Sequence, residues 1–334
     1  MKRHDTLRHR LRTRLLGIAA LAACALFPGL ASAQGSTCDK ACLTGIMDNY
    51  LAQLLRHDAK GLPLKLDVPA RENTRPVTIG QGTAWTSVAR LLSGITSADA
   101  SSGQVVYFGA AEIDAAPYTF FVRLKVSGRQ IAESEIMYMD DGKKDARKTV
   151  FPRDNEGLAR FDELLWSAEV PAARRSSRER MMAIANAYLD ALNVSRDDGR
   201  IPFSPRCERY ESGLRMTNNH RQKYGGLLDL TGPCADGVNL PPDIVASIGN
   251  RRFFVADEAS GVVVAAFVMR FSAKAPLGLG EERAMQVYEL YKIVDGQIRQ
   301  IDANTLIRLE APYHSGFADS DTSSLEKLPV ISRR

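Results

Sequence analysis

An α+β fold written twice in one chain is what these 334 residues predict, on three observations. DASSGQVVYF at 99–108 and DEASGVVVAA at 257–266 share an acidic residue, two spacers, Ser-Gly and two valines, 158 positions apart. TGIMDNYLAQLL at 44–55 and MMAIANAYLDAL at 181–192 share Tyr-Leu with the same apolar spacing. RLKVSGRQIAESE at 123–135 lies against LYKIVDGQIRQID at 290–302 at a constant offset of 167. One matched segment would mean little; three in the same order mean duplication. The predicted copies span 38–168 and 176–320, joined by a linker at 169–175 and followed by a tail at 321–334.

Each copy opens on a helix. Ile46, Tyr50, Leu51 and Leu54 recur at helical intervals in the first, and Ile184, Tyr188, Leu189 and Leu192 in the second, so each helix hides one apolar stripe. A short apolar-Pro step follows, GLPL at 61–64 and RIPF at 200–203. A turn-rich segment comes next, around Arg71-Glu72-Asn73 in one copy and Arg209-Tyr210-Glu211-Ser212-Gly213 in the other. Alternation in FVRLKV and VYELYKIV predicts strands with one buried face, and the Gly turns behind them make hairpins. Helices first and long antiparallel strands after them give α+β units rather than βαβ units.

The first 33 residues read as a targeting segment. Arg8, Arg10, Arg12 and Arg14 form a basic region, LLGIAALAACALFPGL an apolar one, and Ala31-Ser32-Ala33 a small-residue site that predicts cleavage before Gln34. Leu21-Ala22-Ala23-Cys24 is the alternative, a lipobox at which Cys24 would become a lipid-anchored first residue. Either way the chain is exported, to the periplasm or beyond. No later segment reaches the ~18–20 apolar residues of a membrane helix.

Six of the 44 Lys and Arg and one of the 39 Asp and Glu lie in 1–33, which leaves 38 of each sign. A near-neutral mature chain carries no electrostatic footprint for nucleic acid. The run Arg174-Arg175-Ser176-Ser177-Arg178 reads as a charged linker. About 300 remaining residues make a two-domain length. Four cysteines remain, and an even number in an exported protein predicts disulfides. Cys207 with Cys234 is the favoured pair, worth roughly 3 kcal/mol through the unfolded state. Cys38 and Cys42 bridge if Cys38 stands just outside the helix. Metal binding is the other use of cysteine, but His57, His220 and His314 are scattered, so no metal is expected.

The hairpin Lys292-Ile293-Val294-Asp295-Gly296-Gln297-Ile298-Arg299-Gln300-Ile301-Asp302, closing a helix-first unit, resembles the NTF2-like or SnoaL-like cone fold. The whole pattern looks similar to a tandem family of exported fungal and bacterial proteins whose domain has no assigned function. Cys42, Arg71-Glu72-Asn73, Gly80-Gln81-Gly82, Trp85, Arg123-Leu124-Lys125, Cys207-Glu208-Arg209 and His314-Ser315-Gly316-Phe317 carry that similarity. The resemblance implies two cones, each of helices packed on a curved antiparallel sheet, with a cavity between sheet and helices. It also implies pairing through the open sheet faces, which would make the chain an intrachain pseudo-dimer and a monomer in solution. The cone fold hosts cyclases, isomerases, dehydratases, hydrolases and binding modules, so fold is silent on chemistry.

Standard motifs for phosphate, nucleophilic or zinc chemistry are absent, and Gly80-Gln81-Gly82 reads as a turn, so no cofactor is expected. What remains is polar residues that a cone turns inward. Glu135 and Asp302 hold the same place in the two repeats, and a carboxyl facing an apolar cavity gains a raised pKa suited to general acid-base work. Their other reading is one solvent-facing acidic strand face. His57 either caps the end of the first helix or assists as an imidazole. His314, in the tail, is either an acid-base group over a cavity mouth or a surface histidine. Arg71-Glu72 and Arg209/Glu211 read as ion pairs tying the loop to the cone, with a ligand-carboxylate clamp as the sharper role for Arg209. Trp85 and Tyr107 line a pocket or fill core.

Two functions stand. One is cofactor-free acid-base chemistry of lyase, isomerase or cyclase type on a small apolar molecule, with Glu135 or Asp302 as base. The other is a non-catalytic module whose paired cones bind a ligand or each other. A pocket with convergent titratable groups favours the first; a cavity packed shut with Leu and Phe favours the second.

Overall fold

The computed structural model describes residues 38–138, 155–159, 161–196, 198–220, 229–240, 244–272, 284–308, 315–317 and 325–331. Both candidate processing sites and His314 lie outside the described residues. By its contacts the chain divides into Met1–Gly35, also outside them, and one compact unit, Ser36–Arg334.

Helix α1 (Lys40–Leu55) begins where the Asp39 carboxylate accepts a hydrogen bond from the Cys42 amide, and it buries Leu43, Met47, Tyr50, Leu51 and Leu54. Ile46 packs at the partly buried edge of that stripe. Cys38 precedes the cap, so its backbone is not bound to helical geometry and it bridges Cys42, with Cα atoms 5.2 Å apart. The first sheet follows as β1 (Ala70–Glu72), β2 (Arg75–Pro76), a short helix α2 (Thr83–Ser87), β3 (Val88–Asp99), β4 (Gln104–Ile113), β5 (Ala116–Ser127) and β6 (Gln130–Tyr138). Between the sheets in sequence come α3 (Asn155–Ala159), α4 (Glu163–Ser167) and a 3-10 turn at Ala172–Arg174.

The second half repeats the plan. Ser177 caps α5 (Arg178–Asn193), which buries Ile184, Tyr188, Leu189 and Leu192. Then come β7 (Phe203–Glu211), β8 (Leu214–Arg215), β9 (Val245–Asp257), β10 (Val262–Phe271), β11 (Ala284–Val294) and β12 (Gln297–Arg308). Cys207 on β7 is bridged to Cys234.

Each sheet has six strands, in the orders β2-β1-β6-β5-β4-β3 and β8-β7-β12-β11-β10-β9. The long strands are antiparallel, but β1 runs parallel to β6 and β7 parallel to β12, which corrects the expectation of purely antiparallel sheets. A three-residue strand carries too little alternation to announce its partner; where the chain re-enters beside the last strand decides it. The offset of 167 is real in register, with Arg123 opposite Glu135 and Leu290 opposite Asp302. Gly128-Arg129 and Asp295-Gly296 turn the two hairpins, all four residues at positive φ, as a tight primed turn requires.

The repeated Asp-x-x-Ser-Gly proves to be a turn and a tie at once. Gly103 and Gly261 close the β3–β4 and β9–β10 turns at φ +65° and +67°. Each leading aspartate then reaches the start of the other copy's helix. Arg178 donates to Asp99 at 3.0 Å, and Lys40 donates to Asp257 at 2.6 Å. The charged run at 174–178 is thereby used in part to tie the halves together.

Among the described residues three large apolar clusters fill the unit, with a small fourth of Leu214, Met216 and Leu230. One lies between α1 and its sheet, one between α5 and its sheet. The third joins the two sheets, with Phe108, Phe121 and Met137 from one meeting Phe254, Val264, Tyr288 and Leu290 from the other around Trp166 of α4. The sheets pack on each other and the helices cover their outer faces. No helix among the described residues is long and apolar enough to cross a membrane.

Candidate functional site

Strand alternation decides where the paired carboxylates point. Ile131 and Ile136 on β6, and Ile301 and Ala303 on β12, pack under the helices. Glu135 and Asp302 therefore turn to the opposite face, between the sheets, and not into a helix-covered cavity as the sequence reading has it. Both are buried. There the likeness ends.

Glu135 is enclosed by donors. Arg252 from the other copy donates from both terminal nitrogens, one to each carboxylate oxygen, at 2.8 and 2.8 Å. Arg123 Nε adds 2.9 Å, and the Tyr288 hydroxyl also donates. Burial alone would raise this carboxyl; Arg252, Arg123 and Tyr288 outweigh it and hold the group at about 2. The tail covers the same place. Ser315 N donates to Asn250 at 3.1 Å, and the Phe317 ring lies 4.6 Å from the Arg123 guanidinium.

Asp302 has none of these partners. Register places Leu290 where the first copy has Arg123, Ile95 where the second has Arg252, and Phe121 where it has Tyr288. The positions of the three donors to Glu135 are thus apolar in the other half, and Leu290 stands directly opposite Asp302. Its hydrogen bonds come from neutral groups, Trp166 Nε1 at 3.0 Å and Gln300 Nε2 at 3.3 Å. Burial pushes Asp302 up to about 7, which these two bonds only partly offset. Trp166 is itself held in place. Asp162 caps α4, and Lys292 Nζ donates to the Ala168 carbonyl at 2.8 Å and to that of Trp166 at 3.4 Å. Burial lowers Lys292 to about 8.

Asp302 also borders open space. A cleft of about 890 Å³ runs between the copies, walled by β12, β7 and the loop at 218–220 on one side and by Ser93, Phe108 and Phe161 on the other. On its rim Tyr210 donates to Glu208 at 2.7 Å and Arg215 pairs with Glu208. Asn304 Nδ2 donates to the Gly109 carbonyl at 3.3 Å across the copies.

A second titratable cluster lies under α5. Glu289 and Tyr291 of β11, Arg209 and Glu211 of β7 and Tyr188 meet there. Tyr291 donates to Glu289 and Arg209 to Glu211. Burial raises Glu289 to about 7 despite Arg209. Tyr188 Oη, Arg209 Nε, Glu211 Oε2 and Glu289 Oε1 have no hydrogen-bond partner among the described residues. At the matching places of the first copy stand Val122 and Leu124 for Glu289 and Tyr291, and Tyr50 satisfies its hydroxyl on Ser134 at 2.7 Å.

The other expected residues are placed as follows. Arg209 and Glu211 form the ion pair read from sequence, since residues two apart on a strand share a face. Arg71 and Glu72 are adjacent, point apart and take separate partners, Thr74 O for the arginine and Ala84 N for the glutamate. His57 follows α1 at φ +56°, and its ring bonds the Trp85 carbonyl at 2.6 Å rather than the carbonyls of its own helix. Trp85 and Tyr107 are core: Trp85 meets Tyr50 edge to face at 5.2 Å, and Tyr107 donates to Ser93 O at 2.7 Å. Cys38, Cys42, Cys207 and Cys234 are consumed in bridges. Among the described residues no three His, Cys, Asp or Glu converge on a metal position. Trp166 and Glu289 were not singled out from sequence, and Gln300 and Glu208 were named only as part of the resemblance, without a role at a site. For Glu289 the signal was present, an acid at a buried position of the alternating strand VYELYKIV.

Residues 174–305 match a family described as a domain of unknown function, DUF8021. No curated protein matches the chain. Matching solved structures include a de novo designed protein with a curved β-sheet. It is 15% identical, over 32% of this chain and 92% of the designed one, with a TM-score of 0.27.

Proposed function

We propose that this is an exported protein of two NTF2-like copies, 38–168 and 176–320, paired within one chain. Its inter-copy cleft binds a small polar molecule, and Asp302 exchanges a proton with it. One observation carries the reading: of two equivalent buried carboxyls, only Asp302 lacks a cation, borders the cleft, and titrates near neutrality. Trp166 and Gln300 hold that carboxyl in place, and their donated hydrogen bonds favour its ionised form after proton transfer. Glu135, ionised and capped by two arginines, has no proton to give and joins the copies instead. The apolar ligand expected from sequence gives way to a polar one, because carboxyl, carboxamide and phenol groups wall the cleft. Export is supported by the segment 1–33 and by two disulfides.

A non-catalytic binding role uses the same cleft without turnover. It is favoured for the first copy, whose helix-covered face is filled by Met47, Tyr50, Trp85 and Phe120. The test is ligand retention. Protein purified from its own export route is denatured and the released small molecules are identified by mass spectrometry, beside Asp302→Asn and Glu135→Gln. A polar molecule retained by the parent and lost from Asp302→Asn alone supports the reading. The same molecule retained equally by Asp302→Asn would overturn it.

A further inference from the structure

We infer that the inter-copy cleft is built for a neutral polyhydroxylated ligand, a saccharide. This rests on the cleft being the ligand site; it adds the chemical class. Gln300, Asp302 and Asn304 occupy alternate positions of β12 and all line the cleft. Alternate positions on a strand share a face about 7 Å apart, so three planar polar groups stand in a row. Gln300 Nε2 and Asn304 Nδ2 are engaged with Asp302 and the Gly109 carbonyl, which leaves the row to present mainly acceptor oxygens, suited to the hydroxyl donors of a sugar.

The opposite wall is aromatic. Phe161 lines the cleft, stacks on Trp166 at 6.2 Å with planes 10° apart, and meets Phe108 at 6.2 Å. A rigid ring beside planar acceptors fits the C–H face of a pyranose. Charge narrows the class further. Glu156, Asp162 and Glu208 line the cleft against Arg215, already paired with Glu208, and His220, so an anion meets net repulsion. At about 890 Å³ the cleft has room for more than one sugar unit.

The test is saturation-transfer NMR on the full mature chain. The probes are glucose, xylose and N-acetylglucosamine with their β-1,4-linked dimers and trimers, and adenosine and choline as comparators. Phe161→Ala and Asn304→Leu are compared with the parent, each checked for an unchanged circular dichroism spectrum. The inference predicts transfer to sugar C–H protons, shifted cleft amides, and affinity weakened about tenfold or more in both variants. Transfer to adenosine or choline alone, with cleft amides shifting, overturns the saccharide class and leaves the cleft as the site. Sugars that bind equally well to both variants, or cleft amides that no probe shifts, overturn the inference. In the last case the retention experiment separately decides the fate of the site.

Discussion

Glu135 and Asp302 occupy one position of one motif, yet their surroundings have been exchanged group for group. Around Glu135 stand Arg123, Arg252 and Tyr288; by register the equivalent positions in the other half hold Leu290, Ile95 and Phe121. The backbones, registers and turns are alike, so the contrast isolates what neighbours do to a buried carboxyl. With two guanidinium groups it is a fixed anion. With apolar walls and neutral donors it becomes a group that holds its proton until about pH 7. One half thus holds its carboxyl as a charged joint while the other leaves it with neutral partners, and the tail segment Ser315–Phe317 lies over the joint and Arg71.

The largest effect expected from breaking this comparison is on the joint. Arg252→Ala leaves Glu135 buried with half its charge partners and should cost about 3–5 kcal/mol in urea unfolding. Asp302→Asn, which uncovers no charge, should cost under about 1 kcal/mol at pH 7. Equal losses would show that the two sites are not different in kind.

The disulfides give a second contrast. Opening Cys207–Cys234, 27 residues apart, should cost about 3–4 kcal/mol, and opening Cys38–Cys42, four apart, about 2. Paired serine substitutions compared by thermal unfolding measure both, and a reversed order would contradict the loop argument.

Acid and base then act in opposite senses. Asp302 rises from 3.8 to about 7 on folding, so between those values the folded state keeps a proton that the unfolded chain has lost. Stability therefore falls as pH rises through that window, by up to ~1.4 kcal/mol per unit for one proton. Glu289 adds a like slope between about 4.5 and 7. Glu135, held near 2, gives stability that is lost as pH falls below about 4.5. Asp302→Asn should remove one proton's slope between about pH 5 and 7, and Glu135→Gln should leave that window unchanged; stability curves of the two variants check it.

The smallest change tests the exchange of neighbours directly. Phe121→Tyr places a hydroxyl where Tyr288 sits in the other half and should lower the Asp302 pKa by about one unit. An unaltered value would mean that the register equivalence does not extend to hydrogen bonding.

Much of the frame was legible in the sequence because it is local. The helices declare their stripes, Asp295-Gly296 declares its turn, and the repeated Asp-x-x-Ser-Gly marks matching places. The parallel pairing of β1 was not legible, since Ala70–Glu72 is too short to show a period. The site was legible only as a residue pair. Alternation says that Glu135 shares a face with Glu133, but which layer covers that face depends on the packing of the two sheets. The three donors that set the Glu135 pKa are 12 to 153 residues away in sequence. Trp166 lies at the end of the predicted first copy, in a stretch that carries no motif, and is the donor beside Asp302.

The most direct test is a carboxyl carbon NMR titration of the parent protein, with Asp302→Asn and Glu135→Gln used for assignment. Asp302 should show its midpoint near pH 7, while Glu135 stays ionised down to about pH 2. Two carboxyls titrating together near 4 would contradict the account, because the exchange of their neighbours would then have no chemical consequence.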